Sequence, residues 1–283
     1  MRVDLHLHTT ASDGQYAPAA LVSLAHQHGL EVIAITDHDT TGGIIEAQEA
    51  ASAMGSPLIV PGIELSAEDE AGDVHVLGYH IDLQAKIFQD RIAYFRDERY
   101  SRGQRIVERL ADLGMPLNWE RVLVIADGGA IGRPHIARAM VEAGYVESVR
   151  EAFDRFLYNG GPAYAARPRL SPEEAVELIH SAAGVAVLAH PGLLADYAAM
   201  VERLIPAGLD GVEVVHPANP ENVRLNLRGL AQQYNLIMTG GTDFHGLDVK
   251  ESVLLGSVTP PPGCVAALQA RTNQRRQMMG YSA

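Results

Sequence analysis

Imidazole and carboxylate side chains are concentrated in a few short stretches of this sequence. The first stretch, VDLHLHTTASDG at residues 3–14, contains His6, His8 and Asp13. Later stretches, each within or just after an apolar run, contribute His38, Glu64, His75, His190, Asp243 and His245. Neutral imidazole nitrogens and carboxylate oxygens are suitable ligands for manganese, iron or zinc. Because the set is too large for one ion, it predicts a centre that holds several divalent metals.

These residues need strands to bring them together, and the sequence predicts such strands. Apolar and polar residues alternate from Val3 to His8, which is typical of a β-strand with His6 and His8 on one face. Further short apolar runs predict buried strands at 31–36, 57–65, 73–81, 184–190, 211–216 and 235–243. Helical segments lie between most of them; one begins at Ser171, which forms a capping box with Glu174. This alternation predicts a parallel α/β barrel, whose strands end at one shared face.

Residues 86–165 interrupt the alternation, because they are rich in arginine and helix formers and contain few strand-like runs. We therefore predict a barrel domain made of residues 1–85 and 166–283, with a small helical domain at 86–165 that covers the active site. Within it, GAIGRPHIARAM at residues 129–140 places Arg133 and His135 at the start of a helix. That position suits a phosphate group. A surface ion pair is the alternative role for Arg133.

Composition limits the classes of function. The chain has 283 residues, of which 47% are hydrophobic, and a formal net charge of −13. This charge disfavours duplex nucleic acid and anionic membranes as partners, and nothing implies an obligate protein partner. Cys264 is the only cysteine, so an internal disulfide is excluded. With no signal-like or membrane-length apolar segment, we expect a cytoplasmic protein.

The ordered motifs HLHTTASDG, TDHD, GIELS, HVLGYH, AHPG and GGTDFHG resemble those of the polymerase and histidinol phosphatase (PHP) family. The resemblance implies a distorted (β/α)7 barrel with three divalent ions at its mouth. Manganese is the expected metal, with iron or zinc as alternatives. Matching motif by motif implies a first ligand set of His6, His8, Glu64 and Asp243, a second of Glu64, His75 and His190, and a third of Asp13, His38 and His245.

Such a centre predicts phosphoester hydrolysis. Three divalent ions and the carboxylates Asp13, Glu64 and Asp243 would leave about three positive charges at the barrel mouth. The ions would supply a hydroxide at neutral pH and neutralise phosphoryl oxygens. Glu64 and Asp243 would act through that hydroxide. Ser12 is expected to bind a substrate phosphate, and hydrogen bonding within the turn is the alternative for it.

We assign supporting roles to the other histidines and to Glu213. We assign structural roles to His26, His28, His80, His180 and His216. Glu213, on the predicted strand GVEVVH, either orients a metal ligand or is a core carboxylate with a local partner.

The GRPHIA stretch resembles the PHP branch that contains 3',5'-nucleotide bisphosphatases and 5'-to-3' exoribonucleases. This branch implies that Arg133 and His135 bind a 5'-phosphate while the metals act on the 3' side. The predicted reaction converts a nucleoside 3',5'-bisphosphate to the 5'-monophosphate, with trimming of short 5'-phosphorylated RNA as a further activity.

Three other functions remain open at this point. A histidinol-phosphate phosphatase fits the long helical insertion and its arginine less well. An amidohydrolase often bridges its metals with a carboxylated lysine, but Lys86 and Lys250 are the only lysines and neither ends a predicted strand. A non-catalytic, metal-binding regulatory PHP module would be separated from an enzyme by turnover after reconstitution with manganese.

Overall fold

The strands of the computed structural model form one nearly closed sheet. The structure describes residues 1–69, 72–166, 170–246 and 254–281. In these ranges the strands are β1 (Val3–Asp4), β2 (Val32–Ile35), β3 (Leu58–Asp69), β4 (Gly72–Tyr79), β5 (Val185–Leu188), β6 (Gly211–Val215) and β7 (Ile237–Gly240). They pair in chain order in a 7-stranded sheet. The segments that follow β1 and β7 then meet through a parallel bridge between Leu7 and Phe244. This barrel confirms the predicted fold class.

Strand β4 differs from the parallel arrangement that the sequence predicts. It runs antiparallel to both neighbours, β3 and β5, whereas the other adjacent pairs are parallel. Only residues 70–71 separate β3 from β4, and a parallel pair needs a crossover of roughly a dozen residues or more. The hairpin extends β3 beyond Glu64 and pairs Ser66 with His75.

Helices cover the outside of the barrel and fill the long connection between β4 and β5. They are α1 (Pro18–Gln27), α2 (Ile44–Met54), α3 (Lys86–Asp112), α4 (Trp119–Ala126), α5 (Arg133–Glu142), α6 (Val149–Ala152), a π-helix (Phe153–Leu157), α7 (Pro172–Ser181), α8 (Tyr197–Leu204), α9 (Glu221–Tyr234) and α10 (Cys264–Met278). The predicted capping box of α7 is present: Glu174 N donates to Ser171 Oγ, and Ser171 N donates to Glu174 Oε2. No helix in the described ranges has the length and apolar character needed to cross a membrane.

The helices from α3 to the π-helix share a hydrophobic cluster of their own, which includes Ile106, Leu110, Val122, Ile136 and Met140. The first turns of α3 instead pack on the barrel through Phe88, Ile92 and Phe95. The division into a barrel and an inserted domain at 86–165 stays a prediction, and the separate cluster supports it.

The helical segment touches the loop that follows β1. Ala130 N donates to Ala11 O over 2.8 Å, and Arg138 Nη2 donates to Asp13 O over 3.0 Å. A Cβ atom at Gly129 would overlap the carbonyl oxygen of Thr10. Glycine is therefore required for the two backbones to approach this closely.

Candidate active site

The strand ends bring the predicted metal ligands together at one end of the barrel. Side-chain donor atoms lie within 4.8 Å of one another in three overlapping groups of predicted ligands: His6, His8, Glu64 and Asp243; His38, Glu64 and His75; and His8, Asp13, His38 and His245. The remaining predicted ligand, His190, places its Nε2 atom 2.9 Å from Glu64 Oε1 and 3.2 Å from His75 Nδ1. We refer to these residues as the ligand cluster.

Glu64 lies at the centre of the ligand cluster, and its two oxygens face different imidazoles. Oε2 is 3.3 Å from His6 Nε2, 3.2 Å from His8 Nε2 and 3.2 Å from His38 Nδ1. Oε1 is 2.9 Å from His75 Nδ1 and 2.9 Å from His190 Nε2. Burial favours the neutral acid, but the surrounding imidazoles hold the pKa of Glu64 well below its usual value. Glu64 is therefore an anionic carboxylate shared by two sets of donors.

The ligand cluster fits divalent metals on two grounds. First, several of its atoms are buried without a hydrogen bond within the described part of the chain, among them His6 Nε2, both ring nitrogens of His8, and Glu64 Oε2. Each such buried polar atom costs about 1–3 kcal/mol, and native proteins rarely tolerate a group of them. Second, imidazole and carboxylate donors without a thiolate suit manganese, iron or zinc.

The carboxylates of the cluster attract positive charge. Burial opposes protonation of His6, but Glu213, Glu64 and Asp243 raise its pKa well above the usual value. Burial likewise opposes protonation of His8, whose pKa Asp243 and Glu64 nevertheless raise to about 9. Binding a metal ion would supply this charge and displace the protons.

Hydrogen bonds behind the cluster orient two of its imidazoles, those of His6 and His245. His6 Nδ1 donates to Glu213 Oε1 over 3.1 Å, and Glu213 Oε2 accepts from His190 N over 2.7 Å. His245 Nδ1 donates to the backbone oxygen of Asp243 over 2.9 Å. In His6 and His245, the hydrogen bond at Nδ1 leaves Nε2 facing the cluster as a lone-pair donor. Of the two predicted roles for Glu213, the geometry favours that of an orienting carboxylate.

The hydroxyls after β1 point to a carboxylate that the sequence analysis missed, Asp37. Ser12 Oγ donates to Asp37 Oδ1 over 2.6 Å, and Thr9 donates to Asp37 through both N and Oγ1, each over 2.7 Å. Asp37 is buried and precedes the predicted ligand His38 within the TDHD motif, a position that could have drawn attention to it. Ser12 thus has an internal partner, and its contact with a substrate phosphate stays a prediction.

His216 is closer to the ligand cluster than a purely structural role requires. Its buried Nε2 atom lies 3.6 Å from Asp243 Oδ2. Its Nδ1 atom accepts from Ala218 N over 3.0 Å, so the proton of the neutral ring is on Nε2. The ring therefore presents an N–H group to Asp243 rather than a lone pair to a metal. His216 ends the apolar run GVEVVH as His190 ends the run GVAVLAH, and this is the signal that could have placed it here.

Arg133 and His135 both lie in the first turn of α5 and both have internal partners. Arg133 donates to Asp73 Oδ2 over 2.9 Å, to Asn159 Oδ1 over 2.7 Å and to Leu157 O over 3.0 Å. His135 Nδ1 accepts from Gly132 N over 3.0 Å, and burial lowers the pKa of this ring to about 4. The ion pair with Asp73, on β4, is of the kind that the sequence analysis gave as the alternative to phosphate binding for Arg133.

A large cavity separates the ligand cluster from the helical segment. Its volume is about 1110 Å³, which is ample for a small-molecule ligand. Glu64, His75 and other cluster residues form one wall, and the facing wall includes Arg138, Arg150 and Phe153. The cavity therefore combines a candidate metal centre with cationic and aromatic side chains.

A domain profile and the sequences of known enzymes were compared with this chain, and both point to one family. The PHP domain profile matches residues 4–157. The chain is 38% identical over 247 residues to the 5'-3' exoribonuclease Rnm of Salmonella typhimurium, covering 86% of this chain and 84% of that protein. It is 32% identical over 248 residues to the 3',5'-nucleoside bisphosphate phosphatase of Chromobacterium violaceum, covering 86% and 87%.

Solved structures show the same fold. A Bifidobacterium adolescentis protein assigned as a metal-dependent phosphoesterase superposes with a TM-score of 0.88 at 36% identity, covering 95% of this chain and 96% of that one. A Chromobacterium violaceum protein described as an amidohydrolase, with bound sulfate, superposes with a TM-score of 0.85 at 31% identity, covering 96% and 97%. With its ligand cluster, its barrel and these matches, the chain belongs to the PHP domain family.

Proposed function

We propose that this PHP protein is a metal-dependent phosphoesterase that removes the 3'-phosphate of nucleoside 3',5'-bisphosphates and also trims short 5'-phosphorylated RNA. The observation that carries the proposal is the large cavity, which has the ligand cluster on one wall and Arg138 and Arg150 on the other. A substrate with two phosphates can contact both walls. The names of the relatives, one a bisphosphate phosphatase and one an exoribonuclease, support the same substrate class.

Three divalent ions, with manganese expected first, would be held by the ligand cluster. Bound there, they would activate water and neutralise the oxygens of the phosphate being cut. Glu64 would be shared between two ions, because its oxygens face different imidazoles. Glu213 would hold the ring of His6 in place. The proposed ligands are His6, His8, Asp13, His38, Glu64, His75, His190, Asp243 and His245.

The facing wall would recognise the rest of the nucleotide. Phe153 offers an aromatic face on which a base can stack, a contact worth about 1–3 kcal/mol. Arg133 does not line the large cavity itself, but its guanidinium carbon lies 5.6 Å from the centre of this ring and it donates to Asp73. We propose that a 5'-phosphate bound in the large cavity competes with Asp73 for Arg133 without entering the space beyond Asp73. Arg138, which lines the cavity, provides a second cation close to Asp13.

The alternatives find less support. Lys86 forms an exposed ion pair with Asp90, and Lys250 lies outside the described residues. Since Glu64 occupies the central position, a carboxylated lysine is not needed as a bridge. The relatives named as a bisphosphate phosphatase and an exoribonuclease favour an enzyme over a non-catalytic module.

The identity of the product tests the proposed direction of attack. Protein reconstituted with manganese should convert a nucleoside 3',5'-bisphosphate to the 5'-monophosphate and inorganic phosphate, because the metals would act on the 3' side. Chromatography of the nucleotides, with a phosphate assay, measures both products. Chelator-treated protein is the control and should be inactive. Recovery of the 3'-monophosphate would show that the substrate binds in the reverse direction.

Removing the charge of Glu213 should weaken metal binding without removing a ligand. In Glu213→Gln, one side-chain oxygen is replaced by an amide nitrogen that cannot accept from His190 N. Partners behind metal ligands typically contribute about 10- to 100-fold in affinity, and we expect a loss of about tenfold here. Titration of metal-free protein with manganese measures it. Glu49→Gln, an exposed change on α2, is the matched control, and equal affinities of the two variants would refute the orienting role.

A further inference from the structure

A second cavity opens onto the ligand cluster from another side. Its volume is about 650 Å³. His75, His190 and Leu193 line both this cavity and the larger one, so the two meet at the same cluster residues. Its remaining walls come from the ends of β3 and β4 at their hairpin, from Asn159, and from α8 with the loop before it. We call it the side cavity.

The charges of the side cavity do not favour another phosphate. Asp69, Asp73 and Asp196 contribute carboxylates to its walls. Asp69 accepts from Arg203 over 2.8 Å, and Asp73 accepts from Arg133 over 2.9 Å. Arg203, the arginine that lines this cavity, is thus bound to a carboxylate, whereas Arg133 does not line it, and a polyanion entering here would meet negative charge.

The same walls suit a neutral nucleoside. Carboxylate and amide oxygens accept hydrogen bonds from ribose hydroxyls and from the N–H groups of bases. Asn159, which donates to Asp73 over 3.0 Å, adds an amide to this polar edge. Leu193 and Leu194 provide apolar surface for a base, and the largely buried side chains of Val74 and Met200 lie in the same wall. The side cavity therefore combines a polar edge with an apolar wall next to the ligand cluster.

We propose that the side cavity binds the second nucleoside of a 5'-phosphorylated oligoribonucleotide, the one whose 5'-oxygen is esterified to the phosphate that is cut. This inference rests on the proposed function. In the reaction, the oxygen of water bonds to phosphorus, the bond from phosphorus to the 3'-oxygen of the first nucleotide breaks, and that oxygen takes a proton. The second nucleoside keeps the phosphate as its new 5'-phosphate. A nucleoside 3',5'-bisphosphate undergoes the same bond cleavage and leaves the side cavity unused.

Filling the side cavity should separate the two substrates. Ala199 lines it from an exposed position on α8, so Ala199→Trp adds bulk without disturbing a core. Steady-state kinetics are measured with a 3',5'-bisphosphate and with a 5'-phosphorylated dinucleotide. We expect the ratio of kcat/KM for the dinucleotide to kcat/KM for the bisphosphate to fall about tenfold or more. Ala266→Trp, at an exposed position of α10 that lines neither cavity, should leave the ratio unchanged.

The outcomes distinguish this inference from the proposed function. If the unaltered protein hydrolyses neither substrate, the proposed function fails. If it hydrolyses the bisphosphate but not the dinucleotide, the RNA-trimming part of the proposed function fails together with the role of the side cavity. If it hydrolyses both and Ala199→Trp leaves the ratio unchanged, only the role of the side cavity is refuted. Circular dichroism and thermal melting check that the variant folds. Ala195→Trp, at another exposed position of the side cavity, replaces it if Ala199→Trp does not fold.

Discussion

The change Glu64→Gln should lower kcat/KM at least about a thousandfold, equivalent to ~4 kcal/mol of transition-state stabilisation. Glutamine preserves the shape of the side chain but removes the charge that faces imidazoles on both sides. Its amide nitrogen cannot bind a metal, so one of the two donor sets loses the shared oxygen. Bound metal contributes several kcal/mol to phosphoryl chemistry. Elemental analysis, together with hydrolysis of a bisphosphate, measures both effects.

Glu49→Gln again serves as the control, because it makes the same chemical change on an exposed helix. It should retain both metal and activity. A Glu64→Gln protein that keeps its full metal content and its kcat/KM would show that the cluster is not the catalytic centre. Loss of metal with retention of activity would exclude a metal-dependent reaction.

The change Arg133→Met should act selectively on substrates that carry a 5'-phosphate. A charge-assisted contact with phosphate is worth about 1.5–3 kcal/mol, so kcat/KM for a 3',5'-bisphosphate should fall about ten- to a hundredfold. Slow hydrolysis of an aryl phosphate should stay nearly constant, because the ligand cluster is intact. Arg133→Lys should restore part of the loss, since an ammonium group keeps the charge but not the planar fork.

The ion pair with Asp73 makes a structural effect the competing explanation, and the kinetics separate the two. Equal loss with both substrates would mean that Arg133 holds α5 against β4 rather than binding phosphate. In that case Arg138→Met becomes the informative variant, because Arg138 lines the large cavity. Selective loss in Arg138→Met alone would transfer the 5'-phosphate contact to Arg138.

Local sequence patterns predicted the features that depend on neighbouring residues. The capping box at Ser171 forms as its residue types predict, and the alternation from Val3 to His8 places both histidines against Glu64. The barrel itself follows from apolar runs that end in polar ligands. The two partners of the capping box are three positions apart, and the alternation from Val3 to His8 sets which face the two histidines share.

Long-range pairing decides the features that local patterns missed. The polar residues Ser66, Glu68 and Asp69 do not fit the apolar pattern of a buried strand, yet β3 continues through them because β4 pairs with it. The partner of Arg133, Asp73, is on a different element. His216 becomes part of the site only because Asp243 lies beside it in the closed barrel. Such contacts depend on tertiary structure, which no short window of sequence contains.

The place where the segments after β1 and β7 meet couples formation of the site to synthesis of the chain. His6 and His8 follow β1, whereas Asp243 and His245 follow β7, and the two segments meet where Asp243 N donates to His6 O over 2.9 Å. During synthesis, β1 emerges well before the strand that completes its side of the sheet. Until then, the donors are divided between two distant parts of the chain. Closure of the barrel and assembly of the donor set are therefore one event, and a nascent chain that lacks β7 has no complete set of metal donors.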